Sequence, residues 1–366
     1  MSFAVAVLGA GAPIGRAIVR DLAESPEVSR LLLLDRDGPA AAGAATEHAP
    51  GTGEALAVDA PEGLAAAIAG CQVLVNAAGY RINLEAMEAA LEAGCHYVDL
   101  GGLYGMTGRQ LELDERFIAA ELLAVLGVGA SPGTTNVMAE MAARALGERV
   151  EEIHVSVAGR DPAGGDGIRL AYSLPTLIDE LTMAPIVLDK GAARELAPLS
   201  PGGSVTFPEP VGRAQTVYAL HSELQTFGRS FGVVRASYRL SLPSALLGQI
   251  EALLDADEDE LAAAAAAVLP PSDQTVAAHV VEARSAGRVA RVSALTGPRE
   301  EWGFGGGVVA AAAPAAAVVR LIARGRIDTV GVLAPEMCVD PDDLMPELEG
   351  RGCAFTLELA DRRPPG

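Results

Sequence analysis

A continuous apolar run of strand length, Phe3-Ala4-Val5-Ala6-Val7-Leu8, breaks directly into Gly9-Ala10-Gly11-Ala12-Pro13-Ile14-Gly15 and then into a helix-like stretch reaching Glu24. Strand, glycine turn and helix in that order constrain the chain more than any other feature. With no side chains at Gly9 and Gly11, the backbone can turn tightly and approach a pyrophosphate, whose charge meets free N–H groups at the helix N-terminus. A second buried-strand run, Leu31-Leu32-Leu33-Leu34, ends in Asp35, about twenty residues past Gly15, where a carboxylate accepts ribose hydroxyls. The expectation is a nicotinamide dinucleotide site formed by Gly9, Gly11, Ala12, Pro13, Ile14 and Gly15, with Asp35 and Arg36 at the ribose. A side chain at Gly11 is expected to point at the pyrophosphate. The third glycine falls one place late for the G-x-G-x-x-G pattern, and a plain glycine turn is the alternative for the motif alone. Strand, helix and acid together favour the cofactor. Asp35 repels a ribose 2′-phosphate and Arg36 only partly neutralises one, so NAD is expected, with NADP possible.

With 366 residues, half of them apolar, the chain can bury a sizeable core and form two domains. The net charge of −21, from 48 acidic against 27 basic residues, argues against nucleic acid or an anionic membrane as partner. Lys190, the single lysine, sits in a turn-like Asp189-Lys190-Gly191 and reads as a surface residue. Cys71, Cys95, Cys338 and Cys353 lack metal or redox spacing and read as reduced thiols, and no metal site is expected. The N-terminal strand runs straight into the glycine turn without a basic leader, so a cytoplasmic location is expected. The apolar stretch from Val308 to Ala323 is interrupted by Pro314 and Arg320 and makes a poor membrane span.

Strand candidates at 3–8, 31–34, 54–58, 72–76, 96–99 and 122–128 alternate with helical segments. That alternation predicts an α/β fold with a doubly wound parallel sheet, in which ligands lie beyond the carboxyl ends of the strands. Those ends carry Asp59, then Asn76-Ala77-Ala78-Gly79-Tyr80, then Asp99-Leu100-Gly101-Gly102. Asp59, Asn76, Ala77 and Ala78 are therefore added to the cofactor set, the small residues admitting a nicotinamide ribose. Beyond Gly129 the texture changes to a capped helix after Ser131-Pro132-Gly133-Thr134-Thr135-Asn136. Strands at 153–157 and 233–242 follow, with a hairpin about Ser285-Ala286-Gly287, as in a mixed second sheet. The expected division is 1–130 for the dinucleotide domain, 131–330 for a substrate and oligomerisation domain, and 331–366 packing back on the first. Arg362 to Gly366 reads as a loose tail.

The glycine turn, Asn76-Ala77-Ala78-Gly79-Tyr80, the segment Glu92 to Asp99, and Gly129-Ala130-Ser131-Pro132-Gly133-Thr134-Thr135-Asn136 together resemble the saccharopine dehydrogenase-like family, particularly its lysine 6-dehydrogenase branch. Phe207-Pro208-Glu209-Pro210-Val211-Gly212, His221-Ser222-Glu223-Leu224-Gln225-Thr226 and Gly331-Val332-Leu333-Ala334-Pro335-Glu336 extend the resemblance over nearly the whole chain. The resemblance implies a Rossmann domain, a mixed α/β domain, and oxidation or reduction at a carbon–nitrogen bond of an amino acid or polyamine in the cleft between the domains; it also points to a homodimer, which the open mixed sheet leads us to expect through about residues 150–300.

Such chemistry leaves the redox step to the cofactor, while the protein orients the substrate and manages a proton on the amine. Asp99 and Tyr80 at strand ends, and His221 with Glu223 two residues apart, are the candidate catalytic groups. Capping of the following glycine turn is the alternative for Asp99, packing under the cleft for Tyr80, and a polar sheet edge for the His–Glu pair. Thr134, Thr135 and Asn136 at a helix N-terminus, Arg213 with its bidentate fork, and Thr226 are candidates for the substrate. N-capping and a solvated arginine are the plainer roles. His48, His96, His154 and His279 read as structural. An amino-acid or imine dehydrogenase is the leading reading, and a non-catalytic dinucleotide-sensing regulator is the other.

Overall fold

The computed structural model describes residues 3–163, 168–170, 172–253 and 256–362. Six strands form where the apolar runs place them: β1 (Ala4–Leu8), β2 (Arg30–Asp35), β3 (Gly53–Ala57), β4 (Val73–Asn76), β5 (His96–Asp99) and β6 (Leu123–Val125). They hydrogen-bond in the order β3-β2-β1-β4-β5-β6, every pair parallel, and a seventh strand, Gly331–Leu333, joins beside β6. Every residue of β1 and β4 is buried, which is why these strands read as unbroken apolar runs rather than as alternations. Strand order reverses at β1, whose neighbours are β2 and β4. This is the doubly wound α/β sheet.

The chain divides into two units, Met1–Thr134 with Val308–Arg351, and Thr135–Gly307 with Gly352–Gly366. The second unit holds a nine-stranded mixed sheet. At its centre Glu152–Arg160 pairs in parallel with Arg235–Ser241 and antiparallel with Val276–Arg284, which turns at Ser285–Gly287 into Arg288–Thr296.

Two expectations about the C-terminal part change. The helix Gly306–Ala323 lies largely with the first unit, and the segment 331–366 is shared rather than packing as a whole on the first sheet. Gly331–Leu333 joins β6, but Cys353–Asp361 pairs along its whole length with Arg288–Thr296 in the second sheet. Its alternation of Phe355, Leu357 and Leu359 with Thr356 and Glu358 suits a half-exposed antiparallel strand and not a buried parallel one. Arg362, expected in a loose tail, donates to the Ser285 carbonyl at 2.9 Å and to Glu152 at 2.8 Å; residues 363–366 of that tail lie outside the described residues.

By length and composition Gly306–Ala323 can cross a membrane, yet 78% of it is buried inside the protein. Its Arg320 is fully buried in the first unit, donating to Asp21 and Glu347 at 2.8 Å each and to Ser25 at 3.1 Å. Arg351 also donates to Asp21, at 2.8 Å. Removing one partner of a buried ion pair leaves an uncompensated charge. Asp21→Ala should therefore lower the stability of the first unit by about 3–5 kcal/mol in urea unfolding followed by circular dichroism. A loss below about 1 kcal/mol would show that Glu347 alone satisfies the arginine.

Candidate active site

The glycine turn is shaped by contact distance. Gly9 has φ +82°, and a Cβ on it would lie 2.8 Å from Ala78 N and 2.9 Å from the Ala77 carbonyl carbon. A Cβ on Gly15 would lie 2.1 Å from the Gly9 carbonyl oxygen. The loop after β1, the loop after β4 and the first turn of the helix Pro13–Ala23 are thus in backbone contact at the reversal of strand order, where α/β sheets bind their ligands. The helix starts at Ala12 without a side-chain cap and without an acid in its first turn, and Ala12 and Pro13 are exposed. Uncapped amides of this kind fit a pyrophosphate. Asp35 ends β2 and accepts from the amides of Gly11 (2.9 Å) and Asp37 (3.0 Å), which fixes its carboxylate beside the turn. These residues fit a nicotinamide dinucleotide.

The space around Gly11 is set by the protein itself. A Cβ on Gly11 would lie 2.7 Å from the Ala40 Cβ and 2.9 Å from the Asp35 carboxylate. A side chain at Gly11 would therefore first meet Asp35 and the helix Gly38–His48. Arg36 is exposed beside Asp35, and Asp59 is exposed beyond β3. Ala77 and Ala78 are half-buried at the turn. Asn76 is buried; it donates to Asn83 at 2.9 Å and accepts from Ala78 N at 3.1 Å, so it shapes the loop from beneath. Tyr80 follows in a single 3₁₀ turn, Tyr80–Ile82, with the Arg81 guanidinium 4.9 Å above its ring.

Asp99, expected to meet the amine, is engaged by the fold around it. It is fully buried, and its carboxylate accepts from Gly127 N (2.6 Å), Gly101 N (2.9 Å), Gln110 (2.6 Å) and Asn83 (3.2 Å). Burial raises its pKa against these donors, which oppose the rise. The loops after β5 and β6 are tied together through this one side chain. Thr134, expected to meet substrate, turns its amide (2.9 Å) and hydroxyl (3.4 Å) back to the Gly129 carbonyl.

The second unit contains a buried polar cluster. His221 is 4% exposed, its Nδ1 hydrogen-bonds Glu223 Oε2, and its ring stacks on Tyr238 with centroids 3.7 Å apart. Glu223 opens the helix Glu223–Phe231, and its other oxygen accepts from the Thr135 hydroxyl at 2.8 Å. Burial opposes charge on His221, but Glu223, helped by Glu180, outweighs it and raises the imidazole pKa. The expected His221–Glu223 pair thus exists and includes Thr135. Asn136 is also buried, while Thr226 bonds back to the Glu223 carbonyl at 3.4 Å. Arg213 lies exposed at the start of the strand Arg213–Tyr218, a solvated arginine. Two residues of this region, Tyr172 and Glu180, went unnoticed in the sequence, and a third, His279, was read only as structural. Glu180, on the helix Leu174–Thr182, accepts from Tyr172 at 3.0 Å, and burial pushes its pKa up to about 7. His279 is 2% exposed, and burial lowers its pKa to about 4. No periodicity links 172, 180 and 279 to 221.

Residues 5–125 match the family model described as the saccharopine dehydrogenase NADP binding domain. A carboxyaminopropylagmatine dehydrogenase from Synechocystis sp. is 27% identical over 193 residues, which is 50% of this chain and 48% of that protein. The match thus spans about half the length of that relative. The fold is similar to that of an apo saccharopine dehydrogenase (L-Glu forming) from Saccharomyces cerevisiae, at TM-score 0.74 and 14% identity, covering 98% of this chain and 100% of the other. The glycine turn therefore lies in a nicotinamide dinucleotide-binding domain. Residues 5–125 thus resemble the saccharopine dehydrogenase family in sequence, and the chain resembles a saccharopine dehydrogenase in fold.

If Asp99 holds loops together, Asp99→Asn sets an NH₂ group against two side-chain donors. A loss of about 1–3 kcal/mol in thermal unfolding is expected. Unchanged stability with lost turnover would return Asp99 to the reacting groups.

Proposed function

We propose that the protein is an NAD-dependent oxidoreductase acting on a carbon–nitrogen bond of an amino acid, amine or imine, in the manner of a lysine 6-dehydrogenase or a saccharopine reductase. The observation that carries this reading is the buried His221–Glu223 pair in the unit that accompanies a dinucleotide domain. The name of the curated relative, a carboxyaminopropylagmatine dehydrogenase, supports an amine-containing substrate.

Oxidising an amine to an imine removes a hydride and a proton. The bound dinucleotide supplies the hydride chemistry. Glu223 takes the Nδ1 side of His221, Thr135 fixes Glu223, and Tyr238 holds the ring flat. That arrangement leaves Nε2 to exchange the amine proton. Because the His221 pKa is raised, its neutral, proton-accepting form appears only above the ordinary imidazole range. Amine oxidation should rise with pH through that region, and imine reduction should fall.

His221→Ala and Glu223→Gln should leave NAD affinity intact and lower kcat by about a hundredfold or more, measured across a panel of amines, amino acids and cyclic imines. Near-normal rates in both would remove the pair from the chemistry. Asp35 supports NAD over NADP, because its carboxylate is already fixed by two amides where a 2′-phosphate would sit. Dissociation constants for both cofactors test this, and tighter NADP binding would hand the pocket to Arg36.

A homodimer through the second unit is part of this proposal. The outer strand Cys353–Asp361 leaves Leu357 and Leu359 exposed on an open sheet edge, a surface that natural proteins cover. Light scattering should give twice the chain mass at micromolar concentration; a monomer mass rejects the dimer. A cytoplasmic setting is supported by four cysteines that are all free thiols.

A further inference from the structure

We propose that Glu180 binds the cationic amine of the substrate, a role that rests on the amine-dehydrogenase reading above. Glu180 is 8% exposed, and Tyr172 occupies Oε2 at 3.0 Å. Oε1 accepts no hydrogen bond among the described residues. Glu223, the other carboxylate of the cluster, has one oxygen on His221 and the other on Thr135. Of the two acids, Glu180 is the one with an acceptor to spare.

The position is tied to the His221 loop. The Glu180 carbonyl accepts from Leu220 N at 2.8 Å, so the residue before His221 is fastened to the helix that carries Glu180. His221 Nδ1 is committed to Glu223, and Nε2 makes no hydrogen bond among the described residues. An acid oxygen and an imidazole nitrogen are thus both open in one buried cluster.

The charge balance sets the ligand class. Glu180 faces His221, Tyr172, Glu223 and its own neighbour Asp179. His279, which feels Glu223, is kept neutral by burial, and its Nδ1 has no partner among the described residues. Once Glu180 is ionised, one imidazolium against two buried carboxylates leaves negative charge in excess, which an ammonium offsets and a carboxylate group would aggravate. A bound ammonium also favours the ionised acid, so binding releases the proton that burial holds on Glu180 at neutral pH. The sign is fixed: the raised pKa stabilises the fold below the ordinary value of 4.5, that stability is lost as pH rises through about 7, and amine affinity grows over the same interval.

The test is calorimetry of NAD-loaded protein with n-butylammonium as probe, at about pH 6 and pH 8 and in two buffers of different ionisation enthalpy. Wild type should bind more tightly at the higher pH, with proton release at the lower. Glu180→Gln should weaken binding by about tenfold or more and abolish the pH dependence while NAD affinity holds, and Glu180→Asp should restore part of it. Tyr172→Phe keeps the carboxylate but removes a hydrogen bond that favours its ionised form, so the pH midpoint of binding should move up. No probe binding by wild type, equal binding by Glu180→Gln, or an unmoved midpoint in Tyr172→Phe overturns the inference. Glu180-dependent binding with no NAD-linked turnover of any amine would instead uphold it and overturn the functional reading alone.

Discussion

Backbone meeting backbone at the reversal of strand order governs the cofactor side of this protein. A Cβ at Gly9 would sit inside the Ala77–Ala78 peptide, and one at Gly15 inside the Gly9 carbonyl. The helix Pro13–Ala23 is thereby drawn against β1 with its first amides unclaimed by any cap. Asp35 then reaches the turn and bonds Gly11 N, so the acid that recognises a ribose also fixes the loop that recognises a pyrophosphate. Specificity and cradle are mechanically one object.

In the second unit the governing quantity is the cost of buried charge. Two carboxylates and an imidazole are removed from water around His221, and the hydrogen bonds from Thr135 and Tyr172 offset only part of that cost. Such an arrangement is poor for stability. It supports the proposed proton exchange, because a group whose pKa lies near neutrality can both take up and release a proton. Asp99 differs: it is as buried as any of them, yet Asn83, Gly101, Gln110 and Gly127 all donate to its carboxylate.

The sheet of the first unit was legible because each of its inner strands announces itself as an unbroken apolar run, and the cofactor turn because its glycines stand between strand and helix. His221 with Glu223 was also legible, being a local pair. What could not be read were contacts made by folding. Asp99 looked reactive because it ends a strand, but its partners Gln110 and Gly127 come from later elements. The neighbour that a side chain at Gly11 would first meet is Ala40, on another helix. Glu180 is tied to the His221 loop by its carbonyl's hydrogen bond from Leu220 N, and His279 lies on the sheet strand Val276–Arg284. The last strand, Cys353–Asp361, joins that sheet because the hairpin strand Arg288–Thr296 offered a free edge of matching length.

Transfer of a label tests the central claim most directly. Amines and amino acids deuterated at the carbon bearing nitrogen would be incubated with the protein and NAD, and the reduced dinucleotide examined by mass spectrometry. Direct hydride transfer at a carbon–nitrogen bond requires deuterium in the NADH, and its loss in His221→Ala at unchanged NAD affinity. NAD that binds tightly yet acquires no deuterium from any member of the panel would contradict the claim and leave a dinucleotide sensor in its place.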